Sequence, residues 1–274
     1  MTTTTRETDR TRTTPTRTRI SPGQGLRHGV VLAERNVRSL LRYPITLVDT
    51  LLQPILFLLL FATLFGGAIA GDRGDYLQSL VPGLMVMSIL SASIGTGVAL
   101  NADISKGVFD RFRSLPIARS APLVGTVLSD AMRYTIALTV LLVVGFLMGF
   151  RVQTDPLSLL TACALALLFG LTMCWASVIL GMLVRGPQAA MGVGQVAIII
   201  PTFGSNIFAD PATMPRWMEA WAAVNPVSHM ADTMRALTLG GEVAGPLTTS
   251  LVWIAVLNAV LFPLALRAYQ HRMR

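Results

Sequence analysis

The sequence predicts an all-α membrane protein with six transmembrane helices. Of its 274 residues, 53% are hydrophobic and only 13% are charged, whereas soluble domains carry roughly a quarter charged residues. Six stretches contain no charged residue: 50–71, 76–102, 134–150, 156–184, 186–209 and 243–266. A spanning helix needs about 20 mostly apolar residues. The third stretch reaches that length when Asp130 and Arg133 lie at the headgroup level. The runs are continuous rather than alternating, which predicts helices and not a barrel.

The distribution of basic residues predicts that both chain termini are cytoplasmic. With that orientation, 18 of the 22 Lys and Arg residues fall in inside segments and four fall in outside segments. Cytoplasmic loops carry the excess of Lys and Arg in membrane proteins. The net charge of +8 therefore reflects the basic residues of the cytoplasmic segments, which also attract anionic lipid. No soluble domain is predicted that could carry a nucleic-acid site.

The chain before the first apolar stretch divides into two parts. Residues 1–25 are mostly Thr, Arg, Pro and Gly, a composition that predicts a disordered cytoplasmic tail. Residues 26–43 alternate apolar and basic positions at helical spacing, which predicts an amphipathic helix in the interface plane. Its polar positions are Glu34, Arg35, Arg38 and Arg42. The two functions open to this helix are a basic anchor and a brace for a partner subunit.

A short charged segment, residues 103–119, interrupts the apolar sequence after the second stretch. It reads DISKGVFDRFRSLPIAR and predicts a helix of about ten residues that Pro116 ends. A helix of that length is not stable alone. It must therefore pack on something, either the lipid surface or a groove in a soluble partner. Its apolar side holds Val108, Phe109, Phe112 and Leu115, and its other sides hold Lys106, Arg111 and Arg113.

The outside segment 210–242 predicts two short amphipathic helices. Trp217 and Trp221 share one face of the first, and Met230 and Met234 share one face of the second. Tryptophans are typical of the membrane interface. Two arrangements stay open: the helices float at the outer interface, or they dip back and cap a transport path.

Several kinds of chemistry have no residues to support them. The predicted spans hold no ionisable residue in their interiors, which argues against an ion-coupled transporter. The only lysine is Lys106 and no GxxxxGK[ST] loop occurs, so the chain lacks that ATP site. The three histidines are scattered and predict no metal site. If the protein does work, the energy comes from another subunit.

Two longer segments and one short motif of the sequence resemble a known family. The segment KGVFDRFRSLPIARSAPLVGTVLSD at 106–130 resembles the signature of type-2 ABC exporter permeases, in particular the daunorubicin/doxorubicin-resistance (DrrB-like) branch found in actinobacteria. The segment NPVSHMADTMRALTLGG at 225–241 and the RYP at 42–44 also resemble that branch. The resemblance covers residues 26–274 as one ABC type-2 transmembrane domain. Many members have an acidic residue early in the charged segment, where this chain has Lys106 to Val108.

The resemblance implies roles for three segments. Residues 105–115 would be the coupling helix, docked in a groove of a nucleotide-binding ATPase subunit. Residues 26–43 would be the connecting helix, and 210–239 would be outer re-entrant helices. The implied docking residues are Lys106, Val108, Phe109, Arg111, Phe112, Arg113 and Leu115.

The resemblance also implies a mechanism and its partners. Two permease copies would pair around a path, and the ATPase subunits would bind ATP and Mg, with no cofactor in this chain. The substrate would be a hydrophobic or amphipathic compound, moved across the plasma membrane of an actinobacterium in contact with membrane lipids. Helices one and five would line the path, which nominates Gln53, Phe57, Phe61, Gln195, Thr202 and Phe203. The alternative for each is a lipid-facing or packing residue.

Other functions stay open from the sequence. Within the family, a polysaccharide or teichoic-acid exporter would favour aromatic rows, and only 7% of the residues are aromatic. From other classes, a lipid-modifying membrane enzyme would need clustered polar groups at one surface. A membrane scaffold would leave the charged segment without a role.

Overall fold

A computed structural model describes residues 44–64, 73–105 and 121–272, and these residues form helices and no strand. The all-α prediction is confirmed for this part of the chain. The helices are α1 (Pro44–Leu64), α2 (Arg73–Ser105), α3 (Ala121–Met148), α4 (Pro156–Leu183), α5 (Pro187–Phe203), α6 (Arg216–Val224), α7 (Pro226–Leu239) and α8 (Ala244–Arg272), with a 3-10 turn at Pro211–Thr213 between α5 and α6.

Four helices are long and apolar enough to cross a bilayer, namely α2, α3, α4 and α8. Helix α1 is apolar over Leu52–Leu64, and α5 has 17 residues. The chain is therefore a multi-pass protein by length and composition. The count of six spans and the side of the termini stay predictions. The tail, the interfacial helix and residues 106–120 lie outside the described residues, and with them all the predicted docking residues.

Local sequence fixes where the helices begin and end. Proline occupies the first position of α4, α5 and α7, where a missing N–H costs nothing. Before α7, the Asn225 side chain accepts a hydrogen bond from the Val227 backbone N–H at 3.0 Å, as an N-cap does. Helix α3 ends at Met148, and the next residue, Gly149, has a φ of +110° that glycine tolerates best.

Helix α2 is the centre of the bundle. It packs against α1, α3, α4, α5 and α7. Within its most apolar window, 72% of the residues are buried, against 17% for α8. The difference shows that α2 is an interior helix, while α8 presents most of its apolar surface outward, as a lipid-facing helix does.

Glycines allow α2 and α4 to approach each other backbone to backbone. A Cβ atom added at Gly97 would overlap the carbonyl of Ser177, and one added at Gly181 would overlap the carbonyl of Gly97. Further along α4, Gly170 lies against Ile89 and Tyr134. Small residues permit such close packing in membrane bundles. The small-residue pattern of α4 thus serves packing within the chain.

Helix α5 is shorter than the uncharged stretch 186–209 predicted. It ends at Phe203, and the next residues turn back along the bundle. Two side chains hold that turn. The Tyr76 hydroxyl donates to the Phe208 carbonyl at 3.1 Å, and Arg235 Nη2 donates to the Asn206 carbonyl at 2.6 Å. Apolar composition alone could not reveal this end, because it depends on donors from distant helices.

The placement of Asp130 and Arg133 at the headgroup level stays a prediction, and the structure shows how the two residues are paired. Helix α3 begins at Ala121, so both residues lie well inside it. The two side chains form an ion pair and are only 5% and 16% exposed, respectively. Thr96 of α2 donates to the Asp130 carboxylate at 2.7 Å. The bundle therefore holds a paired, hydrogen-bonded carboxylate, as buried charges require.

We predict that Gly97→Ala and Gly181→Ala destabilise the folded protein. Each new methyl group meets backbone rather than a movable side chain, so the helices must separate, at a cost of about 1–3 kcal/mol or more. Gly192→Ala is the matched control, because a Cβ there meets nothing within 4 Å. Thermal unfolding in detergent measures the difference. Equal melting temperatures for all three variants would contradict this packing.

Candidate functional site

Helices α6 and α7 form a helical hairpin whose tip is Asn225. The Asn225 side-chain amide donates to the Pro201 carbonyl of α5 at 2.7 Å. At the other end of α7, the Gln153 N–H donates to the Thr238 carbonyl at 2.9 Å. Because Gln153 precedes α4 and Pro201 lies near the end of α5, α7 runs from the end of α5 to the segment before α4.

Helix α7 is inserted into the bundle. Met230 and Met234 are completely buried, and α7 packs against α2, α4 and α8. Its Thr233 hydroxyl shares a 2.8 Å hydrogen bond with Ser250 of α8. Helix α7 therefore packs among other helices and does not lie free on the surface, while its role as a cap on a transport path stays a prediction.

Helix α6 is the exposed arm of the hairpin. Trp217 is 70% exposed and Trp221 is 44% exposed. The indole of Trp221 nevertheless lies against Gly204, directly after α5. The α6 arm therefore covers the turn that follows α5 and leaves its tryptophans toward the surroundings, as interfacial tryptophans are placed.

Four phenylalanines form an aromatic cluster where α1 meets the end of α5. Phe57 lies 5.7 Å from Phe61 and 6.2 Å from Phe203, measured between ring centroids. Phe208 completes the cluster, 4.5 Å from Phe61 and 5.0 Å from Phe203. These separations are those of stacked and edge-to-face aromatic pairs. The cluster joins the two helices by side chains.

The structure brings together three of the six nominated path residues. Phe57, Phe61 and Phe203 share the cluster, whereas Thr202 is buried on another side of α5. Gln53 and Gln195 are half-buried and lie earlier on α1 and α5, by about one and two helical turns.

Sequence reasoning missed Phe208. It lies in the same uncharged stretch as Phe203 and was assigned to the fifth helix, where a five-residue spacing would separate the two rings on the helix surface. The turn after α5 instead returns Phe208 to the cluster. The signal that could have found it is the pair of small residues Gly204 and Ser205, which follow the last helical residue.

Arg235 of α7 fixes the turn that carries Phe208. Its Nη2 donates to the carbonyls of Asn206 at 2.6 Å and Ile207 at 3.3 Å. Its Nε donates to the Ser79 carbonyl of α2 at 3.2 Å, and its Nη1 pairs with Asp232 at 3.1 Å. One guanidinium thus ties α2, α7 and the turn together, using the rigid fork of donors that only arginine has.

A polar cavity of about 380 Å³ adjoins the aromatic cluster. Tyr76, Asn206, Asp232 and Arg235 line it, and Phe208 contributes to both the cavity and the cluster. Asn206 donates to the Asp232 carboxylate at 2.6 Å. Polar and apolar surfaces therefore meet at Phe208, an arrangement suited to an amphipathic molecule. Within the described ranges, no group of His, Cys, Asp or Glu could hold a metal ion.

We predict that Arg235→Met lowers stability by about 1–3 kcal/mol for each carbonyl left without a donor. Thermal unfolding of the purified protein measures the loss. Arg216→Met is the matched control, because Arg216 is exposed on α6. Arg235→Lys should recover little, since an ammonium cannot reproduce the planar fork. A melting temperature for Arg235→Met as high as that of Arg216→Met would show that the guanidinium does not hold the turn.

Comparison with known proteins identifies the family. The ABC-2 type transporter model matches residues 28–239. The chain is 38% identical over 238 residues to the daunorubicin resistance ABC transporter permease protein DrrB1 of Streptomyces coeruleorubidus, covering 87% of this chain and 84% of that protein.

More distant relatives agree. A probable doxorubicin resistance ABC transporter permease, DrrC of Mycobacterium tuberculosis, is 25% identical over 77% of this chain and 76% of its own length. A putative transport permease, ycf38 of Cyanophora paradoxa, is 27% identical over 76% and 72%. These relatives are named as transport components and not as enzymes. The resemblance stated from the sequence is confirmed: the chain belongs to the ABC-2 type transporter family and is a multi-pass membrane permease.

Proposed function

We propose that this chain is the membrane subunit of an ATP-driven exporter for hydrophobic or amphipathic compounds such as drugs, antibiotics or lipid-like molecules. The observation that carries the proposal is the aromatic cluster between α1 and α5, bordered by a polar cavity at Phe208. Its relatives are named for resistance to daunorubicin and doxorubicin. A planar compound with a polar edge would stack on the rings and hydrogen-bond at the cavity.

The path is proposed to form between two copies of the chain. Helices α1 and α5 present exposed apolar side chains beside the cluster: Leu56 at 53%, Leu60 at 50%, Val196 at 59% and Ile200 at 60% exposure. In a homodimer these faces would meet across the path, with the cluster near one end of α1 and α5. The other nominated residues, Gln53 and Gln195, would line the path further from Phe203.

Energy is proposed to reach the path through α2. The segment 106–120 joins the end of α2 at Ser105 to the start of α3 at Ala121. If 105–115 is a coupling helix docked on an ATPase subunit that binds ATP and Mg, its movement acts directly on the central helix. Because α2 contacts both α1 and α5, a rigid-body shift of α2 would change their separation. The connecting helix 26–43 would brace the same subunit.

The proposed topology has six spans with both termini in the cytoplasm, in the plasma membrane of an actinobacterium. It combines four helices of spanning length with the shorter α1 and α5. In this topology the hairpin α6–α7 fills the outer part of the bundle above the end of α5. Residues 26–274 form the transmembrane domain, and residues 1–25 form a cytoplasmic tail.

We predict that Phe203→Ala reduces daunorubicin efflux in cells that express the chain with its ATPase. Loss of one aromatic pair, about 0.5–1.5 kcal/mol, corresponds to a roughly two- to tenfold lower rate. Cellular fluorescence of accumulated daunorubicin measures it. Phe262→Ala on α8 is the matched control, because Phe203 and Phe262 are each 44% exposed.

Comparison of the two variants distinguishes a residue of the transport path from a residue that only packs against other side chains. Efflux should fall for Phe203→Ala and stay near wild type for Phe262→Ala, with equal amounts of protein in the membrane. Equal efflux in both variants would place the path elsewhere. If cells with the wild-type chain and its ATPase show no daunorubicin efflux above background, the proposed substrate class is contradicted.

A further inference from the structure

A second cavity lies on the other side of α5 from the aromatic cluster. It has a volume of about 250 Å³ and is enclosed by α2, α4, α5, α8 and the start of α7. Its lining includes Ile94, Met173, Ala197 and Leu257, and none of the four clustered phenylalanines. The cavity is therefore distinct from the proposed path.

The lining is almost entirely apolar. No residue that lines the cavity is charged, and its two side-chain hydroxyls belong to Ser93 and Ser177. These two lie 3.5 Å apart, and the Ser93 hydroxyl already donates to the Leu90 carbonyl at 2.7 Å. A stable water needs two to four polar partners, which this cavity does not offer. The cavity is therefore suited to an apolar occupant.

The cavity is large enough for such an occupant. An apolar cavity of about 150 Å³ stays dry and binds benzene, and this one is larger. Small residues create the space, among them Ala190, Gly194 and Ala197 on α5. Gly194 lies directly against Ile94 of α2, which brings α5 close to α2 and leaves the gap on the α8 side.

The cavity is bordered by the gap between α5 and α8. Both helices pack on α4, but they do not form a packed pair with each other. On the α8 side of this gap, Val256 and Val260 are exposed apolar residues, as expected of a lipid-facing surface. An acyl chain that lies along α8 can therefore reach the cavity sideways through the gap.

We propose that this cavity binds one acyl chain of a membrane phospholipid. Three observations favour a lipid chain over the exported compound: the lining has no free polar group, its only aromatic ring is the buried Phe169, and the gap borders the lipid-facing helix α8. A bound chain would fill the space between α5 and its supports α2 and α4, and so fix the position of α5. The proposal does not depend on ATP, on the ATPase or on transport.

The test uses the full-length protein in vesicles that contain a phosphatidylcholine with a diazirine on one acyl chain. After irradiation, mass spectrometry locates the crosslinks. In the wild type, crosslinks are expected on Leu257 and Leu261 in the cavity, above the level on the exposed residues Val252 and Val256. Ala197→Phe places a ring in the cavity and should remove the cavity crosslinks. Ala189→Phe, also exposed on α5 but outside the lining, should keep them.

Two outcomes would overturn the proposal. One is wild-type crosslinking that is no higher in the cavity than on the exposed face of α8. The other is equal loss in Ala197→Phe and Ala189→Phe at unchanged melting temperature. If Ala197→Phe does not fold, Ala176→Leu fills the same cavity from the half-buried position on α4. If added daunorubicin displaces the crosslinks in the absence of the ATPase, the cavity would instead be assigned to the exported compound.

Discussion

The backbone contact between α2 and α4 at Gly97 and Gly181 is the constraint on which the rest of the bundle depends. Within a bilayer, water does not drive helices together, because lipid is as apolar as the side chains. Association depends on close van der Waals packing, and a helix pair in backbone contact gains the most from it. Helix α2 then becomes the surface on which α1, α3, α5 and α7 pack. A change in the contact between α2 and α4 would therefore disturb the packing of those helices as well.

The hairpin α6–α7 shows how the bundle admits irregular backbone. Non-helical segments at membrane depth must have their polar groups satisfied by protein. Asn225 bonds the Pro201 carbonyl, while Arg235 and Tyr76 bond the carbonyls of residues 206–208. The short α5 and the position of Phe208 both follow from these bonds. These polar side chains thus hold the aromatic cluster in place through the backbone of the turn that carries Phe208.

Sequence reasoning predicted the helical class and the amphipathic nature of 216–239, because hydrophobic periodicity carries that information. It nominated three of the clustered phenylalanines only as path residues, through the family resemblance, and not as a cluster. It could not predict the end of α5, since Arg235 reaches the turn from another helix. It could not predict the hydrogen bond from Thr96 of α2 to the Asp130 carboxylate, because that contact joins two different helices. The cavity between α5 and α8 could not be predicted either, because the same small residues in a sequence can leave a cavity or allow close helix contact.

The account centres on a permease that is driven by a separate ATPase through residues 105–115. The most direct measurement is co-purification with a co-expressed ABC ATPase subunit from the same organism, for the wild type, for Phe112→Asp, and for Thr13→Asp as a control that adds the same charge in the tail. The account predicts that wild type and Thr13→Asp retain the ATPase and that Phe112→Asp loses it. Folded wild-type protein that binds no ATPase, or Phe112→Asp that binds as well as wild type, would contradict it.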